Sequence, residues 1–154
     1  MDAAEFEKFL ARGIPRRAER FVARGIWREP AAIEASRAVY ARVLPAGVAT
    51  PHQHLCHLVD EATGARVGET WYSSEEEGGV VQFWIEWIWI EPEFRRRGYA
   101  TAALRLLEEE AHRRGAPRIG LDVWTDNPAA LELYQKLGYS PANMSMVKRI
   151  EPSR

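Results

Sequence analysis

The chain is poor in several things that would have settled its class at once. It has a single cysteine, Cys56, so no internal disulfide can form, which suits a reducing compartment. Cys56 reads as a small core hydrophobe rather than a catalytic thiol. No apolar run approaches the roughly 20 residues that a bilayer span requires, so no membrane partner is expected. Net charge is only −1, which gives no reason to expect a nucleic-acid partner. Lysine is scarce, at 8, 136 and 148 alone, and the basic charge is carried by arginine. The first residues, MDAAEFEKFLARG, are charged and amphipathic and lack the pattern of a secretion signal, so a cytoplasmic protein is expected. No internal repeat or low-complexity tract is visible.

What is present suits one globular domain over residues 1–154. That length allows a real core and is short for two domains. Hydrophobic residues make up 46% and charged residues 28%, as in ordinary globular proteins.

The chain is organised around residues 80–114. Residues 80–90, VVQFWIEWIWI, are β-branched and aromatic with one carboxylate, Glu86, and read as a strand that Pro92 ends. Ala100, Ala103, Leu104, Leu107 and Ala111 then form one helical stripe. Between them lies EFRRRGY. A strand, an Arg/Gly turn and a helix form a recurring phosphate cradle. The first helical turn has amides without partners, and the macrodipole places about half a positive charge there. Gly98 removes a Cβ where a ligand's oxygens would approach, and Arg95, Arg96 and Arg97 add charge. Taken alone, the same loop also fits three solvated arginines and a relaxed turn.

Before this segment, residues 5–22 have helical spacing. Pro15 interrupts them, predicting a kink or two short helices closed by Gly25. Pro30 suits the first turn of a second helix, with Ile33, Tyr40, Val43 and Leu44 on its buried face. Residues 54–59 and 65–72 read as strands joined by a loop at 60–64, and SSEEEGG reads as a polar turn before the long strand. The middle of the chain is therefore an antiparallel meander. His52, His54 and His57 invite a metal reading. A strand would put the first two on one face and the third on the other, and no acidic or cysteine ligand has matching spacing, so no metal is expected.

After the central helix, residues 118–124 form a strand, and the crossover makes it parallel to the long one. Asn127 then caps a helix with Pro128 at its first position. Ala130, Leu133, Tyr134 and Leu137 form its inner stripe. Residues 143–150 read as a final strand and 151–154 as a loose tail.

Two segments carry a resemblance. Ile88-Trp89-Ile90-Glu91-Pro92 followed by Arg95-Arg96-Arg97-Gly98-Tyr99-Ala100 resembles the acetyl-CoA motif of the GNAT N-acetyltransferases, (Arg/Gln)-x-x-Gly-x-(Gly/Ala) after a strand ending in x-Pro. Asn127-Pro128-Ala129-Ala130-Leu131-Glu132-Leu133-Tyr134-Gln135-Lys136-Leu137-Gly138-Tyr139 resembles that family's Asn-x-x-Ala-x-x-Leu-Tyr-x-x-x-Gly-(Phe/Tyr). The resemblance spans residues 55–150, with the N-terminal helices matching loosely. One departure is Arg96, where many relatives carry glycine.

The resemblance implies a layered α+β fold of the GNAT type. Its twisted sheet is mixed and mostly antiparallel, with one splayed parallel pair, and is flanked by helices. It implies acetyl-CoA as cosubstrate, no metal, and a small-molecule or peptide amine as acceptor, in a monomer or homodimer. Helices within residues 1–45 would wall the acceptor side. Backbone groups at Ile88, Trp89 and Ile90 would hold the pantetheine arm. The amides of Arg95, Arg96, Arg97, Gly98, Tyr99, Ala100 and Thr101 would hold the diphosphate. Glu86 would be the general base and Tyr134 the general acid. Asn127 would contact the cofactor or simply cap its helix. Two other classes compete. A non-catalytic acyl-CoA sensor would keep the phosphate turn with Glu86 and Tyr134 inert. A Rossmann-type binder needs Gly-x-Gly-x-x-Gly and a following acid, which are missing. The acceptor is not written in the sequence. Trp27, Trp71, Trp84, Trp87 and Trp89 hint at an aromatic pocket, and the acidic residues 75–77 could attract an amine or be a solvated turn.

Overall fold

In a computed structural model that describes residues 1–148 and 150, the elements follow one another as two helices, three strands, a helix, a short strand and a last helix. The chain divides into two compact units, Met1–Asp122 and Val123–Arg154.

The first unit is built on a four-stranded sheet in the order β1-β2-β3-β4: β1 Gln53–Val59, β2 Arg66–Glu77, β3 Val80–Ile90 and β4 Ile119–Leu121. The first three strands form the antiparallel meander, and β4 joins β3 in parallel. Neighbouring residues of one strand face opposite sides of a sheet, and β2 shows what each side receives. Trp71 points to helix α1, Ala3–Ala23, where Phe9 meets it edge-on at 6.1 Å. Tyr72 points the other way, stacks on Phe83 at 4.8 Å and reaches Glu110 of helix α3, Tyr99–Arg113.

The aromatic core lies on the α1 side, around Phe9, Ile14, Tyr40, Leu44, Leu55 and Trp71. Phe9 also meets Tyr40 and Trp87 edge-on, the arrangement that ring quadrupoles favour. On the other side α3 buries Ala103, Leu104, Leu107 and Ala111, four members of the predicted stripe.

Several expectations need correction. Helix α1 is one element that runs through Pro15. The proline removes one ladder bond, but Phe9 before it and Ala18 after it are both core residues, so packing keeps the two halves in one helix and the two short helices are excluded. The second helix, α2, is Ala32–Val43 and starts two residues after Pro30, which follows a cis peptide bond. Its buried stripe is Ala32, Ser36 and Tyr40, whereas Ile33 is 43% exposed.

SSEEE belongs to β2 rather than to a turn. Gly78 and Gly79 both have positive φ, 59° and 78°, and close a two-residue hairpin by themselves, so Glu75, Glu76 and Glu77 pair with Gln82, Val81 and Val80. The strand read at 118–124 shrinks to Ile119–Leu121, because β3 offers pairing only at Phe83, Trp84 and Ile85.

In the second unit, helix α4 is Pro128–Lys136, with Asn127 as N-cap. Its inner stripe, Ala130, Leu133, Tyr134 and Leu137, is half-buried. Residues 143–148 and 150 form no strand, and Met144, Met146, Val147 and Ile150 are exposed. An alternation of apolar residues makes a strand only with a ladder partner, so the pattern alone does not suffice. The tail expectation lies outside the described residues. No helix among the described residues is long and apolar enough to cross a membrane.

Candidate active site

The turn between β3 and α3 leaves its amides open. After Ile90 the chain makes a 3-10 turn, Pro92–Phe94, in which the Arg95 amide donates to the Pro92 carbonyl at 3.3 Å. Arg96 and Gly98 then adopt left-handed conformations, with φ of 61° and 84°. Such alternation turns successive N–H groups toward one hollow. Helix α3 begins at Tyr99 without a side-chain cap. The amides of residues 96–101 donate to no acceptor among the described residues, and the first bond of this helix is Ala102 N–H to Gly98 O at 3.0 Å. Gly98 answers to its φ rather than to crowding, since a Cβ there would meet nothing within 4 Å. The start of α3 is fixed from outside: Tyr99 Oη donates to Asp60 Oδ2 at 2.6 Å, which with the Thr63 bonds lowers the Asp60 pKa.

The three arginines do different things. Arg95 folds back, donates from Nε to the Ile90 carbonyl at 3.0 Å and lies 4.4 Å above the Trp89 ring. Arg97 sits 5.8 Å from the Phe94 ring, and Arg96 and Arg97 are exposed beside the open amides. The run of open amides thus starts at residue 96, because the Arg95 amide is already bonded.

The edge of β3 is interrupted where the chemistry was expected. Trp71 pairs with Trp87, but Tyr72 pairs with Ile85, so Glu86 is an extra residue bulged out of the ladder. β4 stops pairing at Ile85, one residue before the bulge. From residue 86 to 90 the edge facing away from β2 therefore has no strand beside it among the described residues. The Glu91 amide donates to Val67 of β2 at 2.9 Å, so by alternation Ile88 and Ile90 turn their backbone groups to that open edge. The Ile90 carbonyl, expected to be unpaired, is taken by Arg95. Trp89 turns its backbone to β2, and its ring is covered by Arg16 at 3.8 Å and by Arg95.

Glu86 points to the α1 side, where Ser73 Oγ donates to its Oε1 at 3.1 Å. The side chain is exposed, yet protein packed against it withdraws enough water to raise its pKa above the ordinary carboxylate range. The Ser73 bond and the positive charge of Arg17 act in the opposite direction, and the nearby charge of Asp122 adds to the rise. A base with a raised pKa is better matched to abstracting a proton near neutrality.

The second unit carries the other two predicted residues. Asn127 Oδ1 accepts the Ala130 amide at 3.3 Å, so its side chain serves as the helix cap. Tyr134 is half-buried, with its ring 5.6 Å from that of Tyr139.

Several partners escaped sequence reasoning because distant parts of the chain supply them. Ser73, Asp60 and Arg17 are the ones nearest the chemistry. The histidines are placed on opposite faces: His57 pairs with Glu5 at 3.0 Å, and His54 stacks on Tyr72 at 4.7 Å with Arg114 at 3.1 Å. His52 lies in the turn before β1. Among the described residues no group of three or more His, Cys, Asp or Glu could hold a metal ion. Cys56 is half-buried and its thiol pKa is pushed up, chiefly by burial, which keeps it protonated.

A bulged strand, a parallel neighbour whose pairing stops just before the bulge and an uncapped helix after an Arg/Gly turn make up the candidate site. The chain belongs to the GNAT acetyltransferase family, whose model matches residues 22–139. Among its relatives is YdgE of Bacillus subtilis, named an uncharacterized N-acetyltransferase, 30% identical over 97% of this chain and 95% of that protein. YycN of the same organism, similarly named, is 30% identical over 97% of this chain and 96% of its own length. The crystal structure of YycN superposes with a TM-score of 0.90 over 99% of this chain and 96% of that one.

Proposed function

We propose that the protein transfers the acetyl group of acetyl-CoA to a primary amine, by direct attack within a ternary complex. The observation that carries this reading is the run of open amides at residues 96–101 beside the edge of β3 that β4 leaves unpaired beyond Ile85. The amides, Arg96, Arg97 and the dipole of α3 take the diphosphate. The backbone of Ile88 and the Ile90 amide take the pantetheine arm and the thioester oxygen, and so stabilise the oxyanion that develops during attack. The helices α1 and α2 wall the acceptor side.

An amine attacks only when neutral. Glu86 accepts a proton from the acceptor ammonium, directly or through a water, and the amine nitrogen then bonds to the thioester carbon. The C–S bond breaks, Tyr134 donates its phenolic proton to the departing thiolate, and the second proton shed by the attacking nitrogen returns through water to the tyrosinate. A phenol with an ordinary pKa of about 10 is suited to that step.

The test is a panel of amines with acetyl-CoA, reading free thiol. Glu86→Gln should lower kcat by roughly 10²-fold and leave coenzyme A affinity intact. Activity should rise with pH as Glu86 ionises, along a limb displaced above the ordinary carboxylate range, and Glu86→Gln should abolish that limb. Tyr134→Phe should lower kcat with little change in KM. Full turnover in either variant would remove that residue from the mechanism. Coenzyme A binding without transfer to any amine would favour a sensor.

A further inference from the structure

Helix α1 presents three arginines to the face of the sheet that holds Glu86, and only one is neutralised. Arg12 bridges Glu69 at 2.8 Å and Glu91 at 2.9 Å. Arg16 lies over the Trp89 ring. Arg17 lies 4.5 Å from the Phe21 ring and 5.8 Å from that of Trp27. Arg16 and Arg17 have no ion pair or hydrogen bond among the described residues. Arg17 Nε is fully enclosed without an acceptor, and so are the indole N–H groups of Trp87 and Trp89 on the same face. Ring contacts satisfy the faces of a guanidinium but not its in-plane donors. A buried N–H of a charged group without an acceptor is costly, and a native site that tolerates one needs an explanation.

The explanation that fits is an oxygen ligand. Two aromatic rings flank the half-buried guanidinium, and the partial loss of water there strengthens a charge pair formed on it. Arg17 is also near enough to Glu86 for its charge to be felt there. A molecule with an anionic group on Arg17 would have its amine within reach of the base.

We propose that Arg17 is a specificity residue of the acceptor site and binds an anionic oxygen group, carboxylate or phosphate, on the amine that is acetylated. The inference rests on the acetyl-transfer reading and names the substrate class: acidic amines such as amino acids or aminoalkyl phosphates, rather than polyamines or simple alkylamines.

The experiment uses matched acceptors with acetyl-CoA: amino acids beside their carboxamides and decarboxylated amines, and aminoalkyl phosphates beside the corresponding alcohols. The best acceptor should be an acidic member, at least tenfold above its neutral partner in kcat/KM. Whether carboxylate or phosphate wins identifies the group. In Arg17→Gln the preference should fall to within about twofold, mainly through KM, and Arg17→Lys should restore part of it. A best acceptor that is neutral or cationic overturns the proposal from the native protein alone, whether or not the variants fold. So does a preference that survives in folded Arg17→Gln. Both results leave acetyl transfer standing. Absence of thiol release from every pair, with no binding of coenzyme A, overturns the transfer reading itself.

Discussion

Three helices of this protein begin in different ways. Helix α1 is closed by a capping box: Asp2 accepts the Glu5 amide and Glu5 accepts the Asp2 amide, each at 2.8 Å. Helix α4 is closed by Asn127 and by Pro128, which has no amide to satisfy. Helix α3 is left open, with a left-handed glycine as N-cap and no side chain on its amides. The first two ends do what stability asks of a helix start. The third forgoes that stabilisation, worth about 1 kcal/mol, and is the end that follows the Arg/Gly turn. An anion site at a helix start depends on a missing cap as much as on the added charges.

The largest way to break this contrast is to close α3. Gly98→Asp puts a carboxylate at the open amides, in a conformation that aspartate tolerates better than most residues. Losing one or two hydrogen bonds to charged groups, at about 1.5–3 kcal/mol each, should weaken coenzyme A binding on the order of a hundredfold. Calorimetry would read this while circular dichroism confirms the fold. Opening α4 should have a smaller effect of another kind. Asn127→Ala should lower stability by about 1 kcal/mol in denaturant, and Asn127→Ser should recover most of it. A loss of coenzyme A affinity beyond that loss of stability would make Asn127 a cofactor contact as well as a cap.

The smallest effect sharpens the comparison at α1. The His57 bond, the Asp2 amide and Arg66 depress the Glu5 pKa to about 2. A depressed carboxylate stabilises the fold above its unfolded pKa and loses that contribution as pH falls through the folded one. The native protein should therefore exceed Glu5→Gln in stability at neutral pH, with the gap closing between about 4.5 and about 2. A gap that stays constant over that window would remove the ionised Glu5 from the cap.

The parts of this molecule that were legible in the sequence are those set by local pattern. The long strand, the stripe of α3, the Asn-Pro start of α4 and the Arg/Gly turn each rest on residues a few positions apart. The Glu75–Glu77 run misled because three carboxylates read as solvated turn, while Gly78 and Gly79 suffice to turn the chain and leave the acids paired across the hairpin. Residues 143–150 misled in the opposite sense, since alternation of apolar residues is not enough for a strand, and those described form none. At the site, the open amides were predictable, but the diversion of Arg95 onto Ile90 was not, because it depends on how the turn folds back over Trp89. The Glu86 bulge was likewise hidden, being a mismatch of register between two strands rather than a property of either. Contacts across the sequence, Ser73 to Glu86 and Tyr99 to Asp60, leave no local trace.

The most direct measurement is a titration of 15N-labelled protein with coenzyme A, following the backbone amides one by one. The amides of residues 96–101 should move downfield together and saturate, while those of Asp2 and Glu5, already bonded, stay in place. If coenzyme A leaves the amides of 96–101 unmoved, the open start of α3 is not where the diphosphate binds.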